Sequence, residues 1–364
     1  MGNYDLGRII EHSSRFEKPC IVYDKRMIAD NILSFAPYCS FKERIDVLFA
    51  EKANMNPSVL QFLCEAGVGI DVASTEELKR AREAGFTNIN LTSPFIKAEL
   101  LAGGMFEGVS IDFDNLSQLR RYCIVKGNGI DIGVRVRIPA LFDGSESYGR
   151  NSRFGIDLLS EEFGQLLRDY RANLKRIHIH IGEYRSNENV KTVLEYIKGI
   201  IKQFPDVEIV NLGGGYTYLF ASEERKKEFW SILSEFDDMT GCKLKYIFEP
   251  GMQFLLNAGF LLTEVLYINN VPAEEYEIIT LDASAWCLFS WNPIRLIGKS
   301  PYHSSEIRNY KICGASCYEK DVFAENIETS IIQEGDTLIF GYSGAYSGSM
   351  KRNLHGFNVH EYLI

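Results

Sequence analysis

The sequence predicts an α/β fold: a (β/α)8 barrel of the TIM type over residues 22–255, joined to a C-terminal antiparallel β domain of residues 256–364 with residues 1–21. Three observations predict it. Eight short apolar runs rich in β-branched residues alternate with helix-like segments between Ile45 and Phe248. Strands alternating with helices build parallel sheets, and eight such units close a barrel. After Gly251 the long helical segments stop, and strand-like runs separated by turn residues take over. Finally, 364 residues exceed one domain of about 150 and suit a barrel with an addition. An open doubly wound sheet is the alternative; the strand count favours the barrel.

The elements follow in order. Ile45–Ala50 is the first strand. The helix after it opens at Pro57, whose fixed φ suits a first turn, and has ended by Gly67. Val68–Val72 is the second strand. Ser74-Thr75-Glu76-Glu77 then forms a capping box, and Gly85 stops that helix. The third, fourth and fifth strands are Asn88–Leu91, Val109–Ile111 and Ile132–Ile138, and Arg176–Ile181 is the sixth. Asn189–Phe204 repeats apolar residues at Val190, Val193, Leu194, Ile197 and Ile201, a helical period. Val207–Leu212 and Leu244–Phe248 complete the eight. Several are unbroken apolar runs, as strands covered on both faces must be. Leu261–Ile268, Tyr276–Leu281 and Thr337–Phe340 are strands of the second domain.

Composition excludes several classes of function. Apolar residues at 46% and charged residues at 24% are globular proportions, unlike those of disordered, collagenous or coiled-coil chains. A net charge of −10 without a basic run makes a poor partner for nucleic acid. Met1–Glu17 has no apolar core of a signal peptide, and no apolar run reaches the roughly 18 residues that span a bilayer. The eight cysteines are scattered without a Cys-x-x-Cys pair, so no metal site is expected. They read as reduced thiols of a cytoplasmic protein.

A barrel places its chemistry at the C-terminal ends of its strands. The first strand ends at Glu51-Lys52 and the second at Asp71; the sixth carries His178 and His180 on one face. The seventh runs into Gly213-Gly214-Gly215 and the eighth ends at Glu249-Pro250-Gly251. Singly, each has a plain structural reading as a loop residue or a turn. Together they are the parts of a pyridoxal 5'-phosphate site. Lys52 would form the Schiff base, and the three glycines would present N–H groups to the phosphate. Glu249 would keep the ring nitrogen protonated, and His180 could stack on the ring.

At this point the sequence resembles the alanine-racemase-fold pyridoxal phosphate decarboxylases, the group that holds diaminopimelate, ornithine and carboxynorspermidine decarboxylases. Lys52-Ala53-Asn54-Met55-Asn56-Pro57 resembles its cofactor-lysine motif, and Gly69-Ile70-Asp71-Val72-Ala73-Ser74 its second-strand motif. Ser152-Arg153-Phe154-Gly155-Ile156, His178-Ile179-His180-Ile181-Gly182, Asn211-Leu212-Gly213-Gly214-Gly215 and Phe248-Glu249-Pro250-Gly251 resemble further segments in register. In the β domain, Cys317 with Asp321 resembles the Cys-x-x-x-Asp box, and Gly344-Ala345-Tyr346 followed by Phe357 the C-terminal segment. The resemblance covers roughly residues 20 to 360 and implies decarboxylation. The substrate amine would displace Lys52 from the cofactor, CO2 would leave, and a proton would return to the carbon. It also implies a homodimer with shared active sites, in which Cys317 of one subunit protonates at the other's cofactor. Lys52, Asp71, His180, Gly213, Gly214, Gly215, Glu249 and Tyr346 would hold the cofactor. Tyr318, Glu319, Asp321, Glu183 and Phe357 would line the substrate. Either Arg135 or Arg137 would support Asp71.

Departures bear on the substrate. Met252 stands where many relatives have arginine after Glu-Pro-Gly, and Glu183 where diaminopimelate and ornithine enzymes have serine. A carboxylate beside a phosphate repels it, so Glu183 is expected to point elsewhere or to meet a cationic substrate group. Tyr318 replaces an acid and brings no formal charge. Leu281-Asp282-Ala283-Ser284-Ala285-Trp286-Cys287 is nearer the carboxynorspermidine branch, whereas Gly344-Ala345-Tyr346 is nearer the ornithine and diaminopimelate branches. Three functions follow: decarboxylation of a free diaminopimelate, ornithine, lysine or carboxynorspermidine type of amino acid; decarboxylation of a specialised-pathway amino acid with a masked distal group; or regulation by a non-catalytic homologue. Amino-acid racemisation ranks below these, because it needs a base on each ring face and the Cys box points to decarboxylation.

Overall fold

The computed structural model describes residues 6–35, 41–139, 152–241, 243–271, 275–289, 291–292 and 294–364. Met1–Asp5, Cys39 and Cys242 lie outside the described residues. The chain forms two compact units, one of residues 1–33, 52–62 and 254–364, the other of residues 34–51 and 63–253.

The first strand, β1 (Cys20–Tyr23), belongs to the former unit. The next eight build the latter: β2 (Ile45–Ala50), β3 (Gly69–Val72), β4 (Ile89–Thr92), β5 (Ser110–Phe113), β6 (Asp131–Arg135), β7 (Asn173–His178), β8 (Ile209–Asn211) and β9 (Lys245–Phe248). Each pairs in parallel with the next, and β9 closes on β2. This is the expected barrel, strand for strand. The helices follow local chemistry. Ser74 caps helix Thr75–Glu83 by accepting from Glu77 N at 3.1 Å, and the Glu77 carboxylate accepts in turn from Ala73 N. Helix Asn187–Gln203 buries the expected stripe of Val190, Val193, Leu194, Ile197 and Ile201. Beside Phe248 of β9, the rings of Phe35, Tyr216, Phe220, Phe229 and Trp230 pack edge to face or tilted, with centroids 4.8–6.4 Å apart. Burying each such ring is worth about 1.5–3 kcal/mol. The cluster anchors Tyr216, the residue that follows the three glycines.

The β-rich unit continues with β10 (Gly259–Asn270), β11 (Glu277–Leu281), β12 (Arg295–Ser300), β13 (Ile307–Cys313), β14 (Val322–Ser330), β15 (Thr337–Gly341) and β16 (His360–Leu363). The strand order is β12-β15-β10-β11-β13-β14. Most pairs are antiparallel; β11 with β13, and β1 with β16, are parallel. β1 lies between β10 and β16, with Tyr23 opposite Gly259 and Leu363. These main-chain bonds carry residues up to Leu33 into the β-rich unit, where the sequence had suggested a division at residue 21. Ile9, Cys20, Val22, Phe260, Leu262 and Ile339 form a core within this unit. The six described cysteines are free thiols. No helix among the described residues is long and apolar enough to cross a membrane.

Candidate active site

Polar side chains interrupt apolar barrel strands at one level, and the strand register brings them together. Asp71 lies opposite Asn90 across β3 and β4, Gly133 opposite Arg176 across β6 and β7, and His178 opposite Asn211 across β7 and β8. All the polar ones are buried, as is Glu249 just past β9. Asn90 Nδ2 donates to Asp71 at 3.2 Å and to Asp112 at 3.1 Å, and lies 3.5 Å from Glu249 Oε1. Arg176 Nε donates to Asp112 Oδ1 at 2.5 Å. The guanidinium fits because residue 133 is glycine: a Cβ there would stand 2.7 Å from Arg176 Nη2 and 2.4 Å from Asp112 Oδ1. His178 Nδ1 lies 3.1 Å from Thr92 Oγ1, and its Nε2 lies 3.5 Å from Glu249 Oε2. Asn211 Nδ2 donates to Glu249 Oε1 at 2.6 Å. A buried polar group costs free energy unless it is bonded, so this layer fixes its members' positions.

The glycine run is stitched into the same end of the barrel. Gly213 N donates to Asn211 Oδ1 at 2.9 Å, and Glu249 N donates to Gly213 O at 2.8 Å. Gly214 N approaches His180 Nδ1 at 3.4 Å, and Tyr184 N donates to Gly215 O at 2.8 Å. Gly215 has φ +96°, and a Cβ on it would fall 1.7 Å from Gly182 O, so only glycine fits.

Lys52 lies in the 3₁₀ turn Glu51–Ala53, directly after β2. Within the β-rich unit, Ser349 Oγ donates to Lys52 O at 2.9 Å, Tyr346 N to Ala53 O at 2.8 Å, and Asn54 Nδ2 to Gly344 O at 3.0 Å. The lysine segment and the Gly344-Ala345-Tyr346 segment are therefore bonded together. Tyr346 has φ +56° and sits 5.1 Å, centroid to centroid, from Trp291. Cys317 is exposed, and its N–H donates to His355 Nε2 at 3.4 Å. Tyr318 packs on Trp286 at 4.4 Å, with the Arg352 guanidinium 4.3 Å from the centre of the indole. Glu319 is exposed and Phe357 is half-buried.

Four of the singled-out residues are engaged by the chain's own groups. Asp321 is buried and accepts from Ser284 Oγ at 2.8 Å, Trp286 N at 2.9 Å and Ser316 N at 3.0 Å, so it holds the Cys317 loop in shape. Glu183 accepts from the backbone, Tyr218 N at 2.6 Å. The two arginines left open for Asp71 both go elsewhere. Arg135 pairs with Asp114 at 3.4 Å and lies over the Phe154 ring, while Arg137 donates to Gly155 O. Asn90, Asp112, Arg176 and the bonded role of His178 were missed. The available signal was the polar–apolar alternation along Asn88–Thr92 and Ser110–Asp114, which sets Asn90 and Asp112 each on one strand face with their polar neighbours.

Glu51, beside Lys52, carries a charge problem of its own. It is fully buried; Oε1 accepts from Arg80 Nε at 2.8 Å, and Oε2 has no partner among the described residues. Burial pushes its carboxyl from 4.5 up to about 8, against the pull of Arg80. The folded state therefore keeps a proton that the unfolded chain has lost, and stability falls as pH rises from about 4.5 to about 8. Glu51→Gln should flatten that slope, read as urea midpoints near pH 5 and near pH 8.5; an unchanged slope would remove Glu51 as its source.

The donor set fits the expected pyridoxal phosphate. Among the described residues, Glu249 accepts from the side-chain amides of Asn211 and Asn90, with His178 Nε2 3.5 Å away, so a protonated ring nitrogen suits this buried carboxylate. A Cβ on Gly214 would fall 2.5 Å from Glu249 O and one on Gly215 1.7 Å from Gly182 O, so the run stays a bare backbone cradle of the kind a phosphate uses.

Comparison with known proteins gives the following. The family model for the pyridoxal-dependent decarboxylase, pyridoxal binding domain, matches residues 31–255. A diaminopimelate decarboxylase of Methanothermobacter thermautotrophicus is 27% identical over 94% of this chain and 85% of its own length. One of Pseudomonas fluorescens is 26% identical over 94% and 86%. Among solved structures, a diaminopimelate decarboxylase of M. jannaschii in complex with L-lysine superposes with a TM-score of 0.81 at 21% identity, covering 98% of this chain and 89% of that one. The lysine decarboxylase of Selenomonas ruminantium gives 0.82 at 19%, covering 100% and 96%. Both structures share the fold.

Proposed function

The chain belongs to the pyridoxal-dependent decarboxylase family, and from that premise we propose that it removes the α-carboxylate of a diaminopimelate-type amino acid, one with a second polar group at its far end. It is a pyridoxal phosphate-dependent amino-acid decarboxylase. The observation that carries the substrate reading is that relatives named diaminopimelate decarboxylase match nearly the whole chain, β-rich unit included.

In this reading Lys52 holds the cofactor through Nζ, with Gly213, Gly214 and Gly215 at its phosphate, His180 against a ring face, and Asp71 and Tyr346 alongside. The chemistry the cofactor supplies when bound is an electron sink for the charge left on the α-carbon as CO2 departs. Glu249, oriented by Asn211 and Asn90, keeps a proton on the ring nitrogen. The Asp112–Arg176 pair fixes Asn90, and Thr92 fixes the ring of His178. Cys317 delivers a proton to the α-carbon, one subunit of a homodimer serving the other.

A second reading has its own support. Tyr318, packed on Trp286, presents a ring and a hydroxyl where an acid would meet a distal ammonium, which suits a masked distal group. CO2 release from the holoenzyme separates the two, with meso-diaminopimelate, lysine, ornithine, arginine and carboxynorspermidine offered in turn. Diaminopimelate should turn over at least about tenfold faster, in kcat/KM, than the rest. Preference for another of the five would overturn the substrate, and silence across all five would favour the masked group.

A further inference from the structure

The N–H groups just after the glycine run are already engaged by an anion of the chain's own. Glu183 Oε1 accepts from Tyr218 N at 2.6 Å, and Thr217 N–H reaches the same carboxylate. The carboxylate is held there. Its neighbour Tyr184 donates to Gly215 O, and Gly182 packs against Gly215 so closely that no Cβ fits between them. Arg185 is the cation whose charge acts on Glu183. The Arg225 guanidinium lies 4.2 Å from the centre of the Tyr218 ring. The Tyr216 hydroxyl, buried and neutral, donates to Leu212 O at 3.0 Å, and His180 Nδ1 faces Gly214 N–H.

We propose that Glu183 is an internal competitor for the cofactor's phosphate: it holds the Thr217 and Tyr218 N–H groups until the phosphate displaces it or it takes up a proton. The proposal rests on the phosphate's position at Gly213–Gly215 given above. A phosphate monoester carries about −1.5 to −2 at neutral pH, and two anions cannot share one set of donors without repulsion. Burial raises the Glu183 carboxyl's affinity for a proton, and the Tyr218 hydrogen bond and Arg185 oppose the rise. A nearby phosphate raises that affinity further, so binding takes up a proton and cofactor affinity falls as pH rises.

The test titrates pyridoxamine 5'-phosphate, which cannot link to a lysine, into the cofactor-stripped protein at about pH 6.5, 7.5 and 8.5, following tryptophan fluorescence. Pyridoxamine, lacking the phosphate, is the control. Glu183→Gln keeps the acceptor without the charge; Glu183→Ser withdraws it. Both should bind the phosphate compound about tenfold more tightly at the highest pH, with a flatter pH profile, and bind pyridoxamine unchanged. Hydrogen exchange of the amides of residues 213–218 is followed in the same samples. Protection there on binding, with affinity and pH profile unmoved in both variants, would overturn the role of Glu183 alone. Absence of protection would overturn the phosphate position and the proposal with it.

Discussion

Lys52→Ala protein should lack the visible absorbance of a lysine-linked cofactor and lose roughly 10³-fold or more in kcat, the scale expected when a covalent anchor that also moves protons is removed. The loss belongs to Nζ rather than to the fold. The main chain of the turn stays held, since Ser349 bonds the Lys52 carbonyl and Tyr346 N the Ala53 carbonyl. A purified variant with an unchanged visible spectrum would remove Lys52 from the cofactor. The same variant tests the shared sites of a homodimer. Mixed with Cys317→Ala, itself slow but cofactor-loaded, it should recover about one quarter of wild-type activity. Random pairing makes half the dimers mixed, and each of those has one intact site in two. Recovery of nothing would mean that each subunit completes its own site.

Arg176→Met should cost about 3–5 kcal/mol of stability, the usual penalty for leaving a buried charge without its partner. Asp112 is fully buried beside that guanidinium, and Asn90 and His178 are its other polar neighbours. The penalty lies in the abandoned carboxylate, so adding Asp112→Asn to the arginine variant should recover much of the loss. Urea unfolding of the single and double variants reads this directly. A double variant no more stable than the single would place the cost in packing around the guanidinium stem. The single variant should also lower kcat, because Asn90 spans Asp112 and Glu249.

The barrel was legible because several of its strands are compact apolar runs bounded by turn or cap residues, and Ser74 and Pro57 mark helix starts by their own chemistry. Glu249 and Gly213–Gly215 were legible because they sit at strand ends, where a polar residue or a glycine run stands out. Asn90, Asp112 and Arg176 were not. Asn90 stands between Asn88 and Thr92, Asp112 between Ser110 and Asp114, and Arg176 beside Lys175, so none stands out, and only the register of neighbouring strands makes the three one network. Residue type also failed to disclose partners: that Asp321 and Glu183 accept from backbone N–H groups shows only in the fold. The domain boundary near residue 21 shifted because β1 pairs with strands remote in sequence, which no local pattern records.

That remote pairing sets an order of events on the ribosome. β1 emerges well before one of its two neighbours, β16, which is residues 360–363. At 5–20 residues per second, β1 waits roughly 20–70 s for that partner to be synthesised. Among the barrel strands the longest wait, of β2 for its closing partner β9, is shorter, roughly 10–40 s at the same rate. The nascent chain thus carries an unfinished sheet edge, Cys20–Tyr23, that stays open to chaperones or to a neighbouring chain until β16 arrives.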